Sequence, residues 1–75
     1  DRCFVTSETS GLLEVCVDLG DTVRKGQTLA RVHDMKRTGS DPVVYVSPID
    51  GIFTARHFPG LIGMGDIVAV IAVPA

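Results

Sequence analysis

Few side chains in this sequence are suited to chemistry. They are His33 and His57, Cys3 and Cys16, Lys36, and three aspartates beside glycine turns, Asp18, Asp21 and Asp66. The cysteines lack the Cys-x-x-Cys spacing of zinc or redox motifs. No residue stands in a pattern that pairs a nucleophile with its base. The aspartates flank Gly-rich turns, where their expected work is to accept turn hydrogen bonds. No Lys-Ser or Lys-Thr follows a glycine turn and no helix starts there, so none of these turns is a phosphate loop. What remains is Arg56-His57-Phe58-Pro59-Gly60, where a guanidinium, an imidazole and a large apolar ring meet at a strand end. Arg56 suits a carboxylate on a partner surface. Phe58, beside a turn, is expected to pack on something, and a small domain leaves little core for it to reach. A second basic cluster, Arg31, His33, Lys36 and Arg37, is offset by Asp34 and Asp41. It reads as a solvated hairpin, with a neighbouring subunit as the alternative contact.

The elements that hold these residues follow from length and punctuation. A chain of 75 residues is one domain, near the lower limit of independent stability, with little room for a deep catalytic cleft. Its start at Asp1 reads as a piece of something longer. The formal charge of −2 gives no basic excess, which argues against a nucleic-acid binder. An uncharged run of nine residues, Ile67 to Ala75, is about half of a membrane span, and no signal peptide opens the chain. Two cysteines do not make the framework of a disulfide-rich secreted domain. They read as reduced thiols behaving as small hydrophobes, in keeping with a cytoplasmic protein.

Helical periodicity is nearly absent. Leu13, Val15, Val17 and Leu19 alternate with Leu12, Glu14, Cys16 and Asp18, a period of two with the first set inward. Val43–Ser47 is a β-branched and aromatic run. Ile52–Phe58 places Phe53, Ala55 and His57 on one face and Ile52, Thr54, Arg56 and Phe58 on the other. Ile67–Val73, apolar on both faces, reads as a central strand. Leu29–Val32 is a shorter strand and Cys3–Thr6 an edge. Turns at Gly20-Asp21, Lys25-Gly26, Gly39–Pro42, Asp50-Gly51, Pro59-Gly60 and Gly65-Asp66 separate them. An internal repeat organises the pieces. Gly11-Leu-Leu-Glu-Val, a turn from Gly20 to Gly26, and Gln27–Val32 match Gly51-Ile-Phe-Thr-Ala, a turn from Gly60 to Gly65, and Asp66–Ile71. Neither half has enough core alone. The two are expected to pack as a pseudo-symmetric pair, with Val23 and Ile62 tucking the turns inward.

The run Gly20-Asp-x-Val-x-x-Gly-Gln-x-Leu-Ala30 resembles the first half of a biotinyl/lipoyl-type barrel-sandwich hybrid, with Gly60–Gly65 as its symmetry mate. The resemblance implies an all-β fold and, as one function, a carrier modified on a lysine. Met35-Lys36 stands near the carrier position. However, Arg37 follows where carriers have Met, and Asp34 precedes Met35. The lipoyl Asp-Lys-Ala is absent as well. A carrier of biotin or lipoate on Lys36 is therefore the alternative reading. An efflux-pump adaptor, which would carry a helical insertion between the halves, is a weaker one.

Ser10-Gly-Leu-Leu-Glu, Val17-Asp-Leu-Gly-Asp and, above all, Thr54-Ala-Arg-His-Phe-Pro-Gly60 resemble the carboxy-terminal β domain of the succinylglutamate desuccinylase/aspartoacylase family. Within it they are nearest to N-acetyl-diaminobutyrate deacetylases. The resemblance implies a zinc-dependent amide hydrolase whose catalytic domain, in the same polypeptide, packs beside this one. Its zinc site needs His-x-x-Glu and a distant His, whereas Lys36 stands three residues after His33 and Gly60 three after His57. No catalytic, cofactor or metal residue is therefore expected here, and zinc is implied only for the catalytic domain. The expected partners are that domain and a second copy of the chain, through Arg56, His57 and Phe58.

Overall fold

The period-two pattern becomes eight strands in the computed structural model, which describes residues 2–34 and 41–73. They are β1 (Arg2–Thr6), β2 (Gly11–Val15), β3 (Thr22–Val23), β4 (Thr28–His33), β5 (Val43–Val46), β6 (Gly51–Arg56), β7 (Gly60–Ile62) and β8 (Ile67–Ala72). Among the described residues there is no helix, hence none long and apolar enough to cross a membrane. All pairings are antiparallel and build two four-stranded sheets, ordered β1-β8-β6-β3 and β5-β4-β2-β7. The expected all-β class holds, and the strand expected over Ile67–Val73 is found at an interior place as β8, Ile67–Ala72. The edge role of the first strand holds too, since β1 pairs only with β8.

The repeat is visible in the pairing. Each half lends its short turn strand to the other half's sheet, so Val23 lies opposite Gly51 and Ile62 opposite Gly11. Val23 and Ile62 are both buried, as expected. Glycine is required at both crossing points. A Cβ on Gly11 would stand 2.2 Å from the His33 carbonyl oxygen, and one on Gly51 would stand 2.5 Å from that of Ala72. Backbones approach here closer than any side chain allows. The turns match as well. The Gln27 side chain accepts from Arg24 N at 3.0 Å and Asp66 from Gly63 N at 2.8 Å, while Gly26 and Gly65 both hold φ near +90° (87° and 90°). Ser47 and Ser7 close the two halves identically, each exchanging backbone bonds with the opposite turn and donating its hydroxyl to the carbonyl two residues on. Sequence pattern therefore becomes one core, made of Leu13, Val23, Leu29, Val32, Phe53, Ile62, Val68 and Ile71.

Three expectations fail for stated reasons. Leu19 is exposed, because β2 ends at Val15 and the chain turns at Asp18–Asp21 before Leu19 can face inward. β6 ends at Arg56 and not at Phe58. Phe53 and Ala55 do not share a face, because a bulge between them inserts Thr54 against β8. Phe53 is buried, Ala55 is exposed, and the Thr54 hydroxyl donates to the Val70 carbonyl at 3.1 Å. Residues 35–40 lie outside the described part, so the Lys36 reading and the first half of the expected Gly39–Pro42 turn do so as well.

Candidate functional site

The bulge in β6 has a local consequence. It turns small Ala55 outward beside Val70 of β8, and the strand then ends in Arg56-His57-Phe58. Across from these lie Gly65, Asp66 and Ile67 at the start of β8. Together they line an open groove of about 580 Å³. Arg56, His57 and Phe58 are thus brought into one feature with residues from the second glycine turn.

The imidazole ties the groove together. Its Nδ1 lies 2.9 Å from the Phe58 carbonyl oxygen, which can only accept, so Nδ1 carries the proton. Nε2 lies 3.7 Å from Asp66 Oδ2, an ion pair that exists only when the ring carries both protons. Asp66 Oδ2 is already held by Gly63 N–H, so the turn fixes the carboxylate that faces the histidine. Arg56 makes a long bond, 3.4 Å, to the His57 carbonyl, and among the described residues no carboxylate pairs with it. Phe58 is 84% exposed, with no core packing. The groove therefore offers an apolar floor, a guanidinium without a carboxylate partner and an exposed ring, and no serine, threonine, cysteine or lysine is among its described lining residues.

The second basic cluster behaves differently. Arg31 and His33 share the outer face of β4, as the period of two requires, and both reach Glu14 of β2, at 3.4 Å and 2.9 Å. The His33 hydrogen bond first, with the Arg31 charge behind it, holds the Glu14 carboxyl below its ordinary range. Cys16 is exposed on the same face, 3.3 Å from Arg31 Nη1, while Cys3 is half-buried, and both thiols are free. Asp21 and Asp66 accept turn N–H bonds as expected.

The donor set does not fit a catalytic metal. His57 with Asp66, and His33 with Glu14, are pairs, and among the described residues no three His, Cys, Asp or Glu side chains converge. What sequence reasoning missed were Asp66, Ala55, Ile67 and Val70 as groove partners. Superposing the two halves residue by residue would have flagged Val70, which stands where the first half has Arg31.

No protein-family model matches the chain. It is 54% identical over 70 residues to an N-alpha-acetyl-L-2,4-diaminobutyric acid deacetylase of Halomonas elongata, covering 93% of this chain and 20% of that protein. The product-bound structure of an ectoine utilization protein from Ruegeria pomeroyi superposes with a TM-score of 0.92 at 53% identity, covering 96% of this chain and 22% of that one. A succinylglutamate desuccinylase from Silicibacter superposes with a TM-score of 0.89 at 46% identity, covering 95% of this chain and 22% of that one. The likeness carried by Thr54–Gly60 thus extends over nearly the whole chain. This chain is a homologue of one part, about a fifth in length, of N-acetyl-diaminobutyrate deacetylases and of succinylglutamate desuccinylase/aspartoacylase structures.

Proposed function

We propose that this chain is the noncatalytic C-terminal domain, of the barrel-sandwich-hybrid type, of a zinc-dependent N-acyl amino acid deacylase working in the cytoplasm. Its role is to pack through Arg56, His57 and Phe58 beside the active-site entrance or at a subunit interface. The observation that carries this reading is the 54% identity to a diaminobutyrate deacetylase over 93% of the chain. The site chemistry supports it. With two histidines, no His-x-x-Glu and no converging triad of ligands among the described residues, the amide-cleaving apparatus belongs to the other part of the parent. Zinc there supplies a Lewis acid and an activated water. This domain supplies shape, an exposed aromatic anchor and, at a groove, a guanidinium with no carboxylate partner among the described residues.

The test is an activity assay. The 75-residue chain is incubated with zinc and N-acetyl-2,4-diaminobutyrate beside the full-length parent. Turnover by the parent and none by the chain is the expected result. Turnover by the chain alone would place the apparatus inside it and end the noncatalytic reading. Co-expression with a biotin or lipoyl ligase, followed by intact mass, is expected to show no adduct. An adduct lost in Lys36→Ala would establish a carrier instead.

A further inference from the structure

The two halves build the same turn with different chemistry. Cys16 N–H donates to the Leu29 carbonyl at 2.8 Å, and His57 N–H donates to the Val68 carbonyl at 3.1 Å. Gln27 and Asp66 close the matching turns. Each follows a glycine with φ near +90°, and each side chain accepts from the N–H three residues before it. Cys16 and Gln27 therefore stand in the first half where His57 and Asp66 stand in the second. A turn of this shape needs only an oxygen acceptor, and the neutral Gln27 amide supplies one. The negative charge of Asp66 is surplus to the turn. It faces the position at which the second half places an imidazole, with Oδ2 3.7 Å from His57 Nε2.

We infer that His57 and Asp66 form a proton-operated clasp across the groove, closed when the imidazole is protonated and released when it is neutral. The ring is aimed by its other nitrogen. Nδ1–H donates to the Phe58 carbonyl, a bond open to the neutral and the protonated ring alike, so titration changes Nε2 alone. In the neutral ring Nε2 turns a lone pair toward the Asp66 carboxylate, and the two repel. In the protonated ring it is a donor that reaches charge-assisted hydrogen-bond distance after a shift of about 1 Å. Gly63 N–H holds Oδ2 in place at 2.8 Å. Among the groove's described lining residues the other charged group is Arg56, next to His57 on the same wall. An aspartate and a histidine carry opposite charges between roughly pH 4 and 6.5. The clasp therefore opens as pH rises above that window, and also below it as Asp66 takes up a proton. Closing draws the end of β6, with Arg56 and Phe58, toward the turn before β8 and narrows the groove. Both side chains are partly exposed, 31% and 49%, so solvent screens the pair and the effect is small. The clasp is made of this chain's own residues and stands whether or not the parent is a deacylase.

The test is amide exchange of the 75-residue chain, followed by NMR between about pH 5 and pH 8 and corrected for the pH dependence of an unprotected amide. Gly63 N–H reports the Asp66 end of the clasp. Its protection is expected to rise about two- to fivefold as pH falls through the imidazole titration. Arg24 N–H, bonded to the neutral Gln27, is the internal control and is expected to stay level. Asp66→Asn keeps an acceptor for the turn and removes the charge, whereas His57→Gln removes the titrating ring and leaves the turn untouched. Both are expected to abolish the rise. Ring nitrogen shifts of His57 are expected to show Nδ1 protonated throughout and Nε2 protonated only in acid. A wild-type Gly63 that stays level overturns the clasp. So does a rise that survives either substitution, an equal rise at Arg24, or a neutral ring protonated on Nε2.

Discussion

Replacing Gly51 by Ala tests whether the crossing of the two halves depends on close backbone approach. The added Cβ would lie 2.5 Å from the Ala72 carbonyl oxygen and 2.8 Å from Ile71 Cγ2. Unstrained carbon contacts sit at roughly 3.5–4 Å, so something must move by about 1 Å. The nearest atom is backbone of the central strand β8, and Ile71 is wholly buried, so neither moves cheaply. Overpacking of this kind costs about 1–3 kcal/mol. A domain of this length has roughly 4–11 kcal/mol in total. The expected fall in Tm is therefore about 5–20 °C. The assay is thermal and urea unfolding of the chain by far-UV circular dichroism, with fluorescence of its one tyrosine, Tyr45, as a second probe. Gly63→Ala is the control. Its Cβ meets only the exposed Asp66 carboxylate, at 3.3 Å, and φ there is not left-handed, so about 0.5 kcal/mol or less is expected. Gly11→Ala, the symmetry mate, is expected to behave like Gly51→Ala. If Gly51→Ala melts with the control, close approach at the crossing is not what holds the halves together.

Tyr45→Phe removes the hydroxyl that accepts from Glu8 N–H at 2.9 Å, and is expected to cost about 1–2 kcal/mol in urea unfolding. Glu14 has its carboxyl lowered from 4.5, chiefly by His33, so the stability it adds is present above that ordinary value and is lost as pH falls through the lower folded one. Urea midpoints of the wild type and of Glu14→Gln are accordingly expected to converge on acidification, and a gap that stays constant would refute the pairing. His57→Ala with Phe58→Ala in the full-length protein is expected to lower deacylase activity. Phe58 is 84% exposed, so the same change is expected to move the melting of the 75-residue chain by only a degree or two. Loss of activity that merely follows loss of fold would make these residues ordinary packing.

Much of the architecture was legible without coordinates. Residues alternating in β2 and the wholly apolar run of β8 report their own burial, because a strand's period of two and a central strand's two covered faces are written in local order. The bulge at Thr54 was not legible. Nothing in Gly51–Phe58 distinguishes an extra residue from a continued strand, and the inserted residue is decided by how β6 meets β8. The exposed Leu19 failed for a related reason, since hydropathy does not record that Leu19 sits within the turn closed between Asp18 and Asp21.

Sequence by itself determined the two halves, their glycine turns, the buried Val23 and Ile62, and the kinship carried by Thr54–Gly60. All of these are properties of residue type and short-range spacing. Tertiary structure alone decided that each half lends its turn strand to the other. It also decided that Asp66 faces His57, that Phe4 and Ala55 flank Val70, and that Glu14 meets both Arg31 and His33. Those juxtapositions depend on register between strands distant in sequence. A shift of one residue reverses which side chains share a face, so register becomes known only when the sheets are assembled.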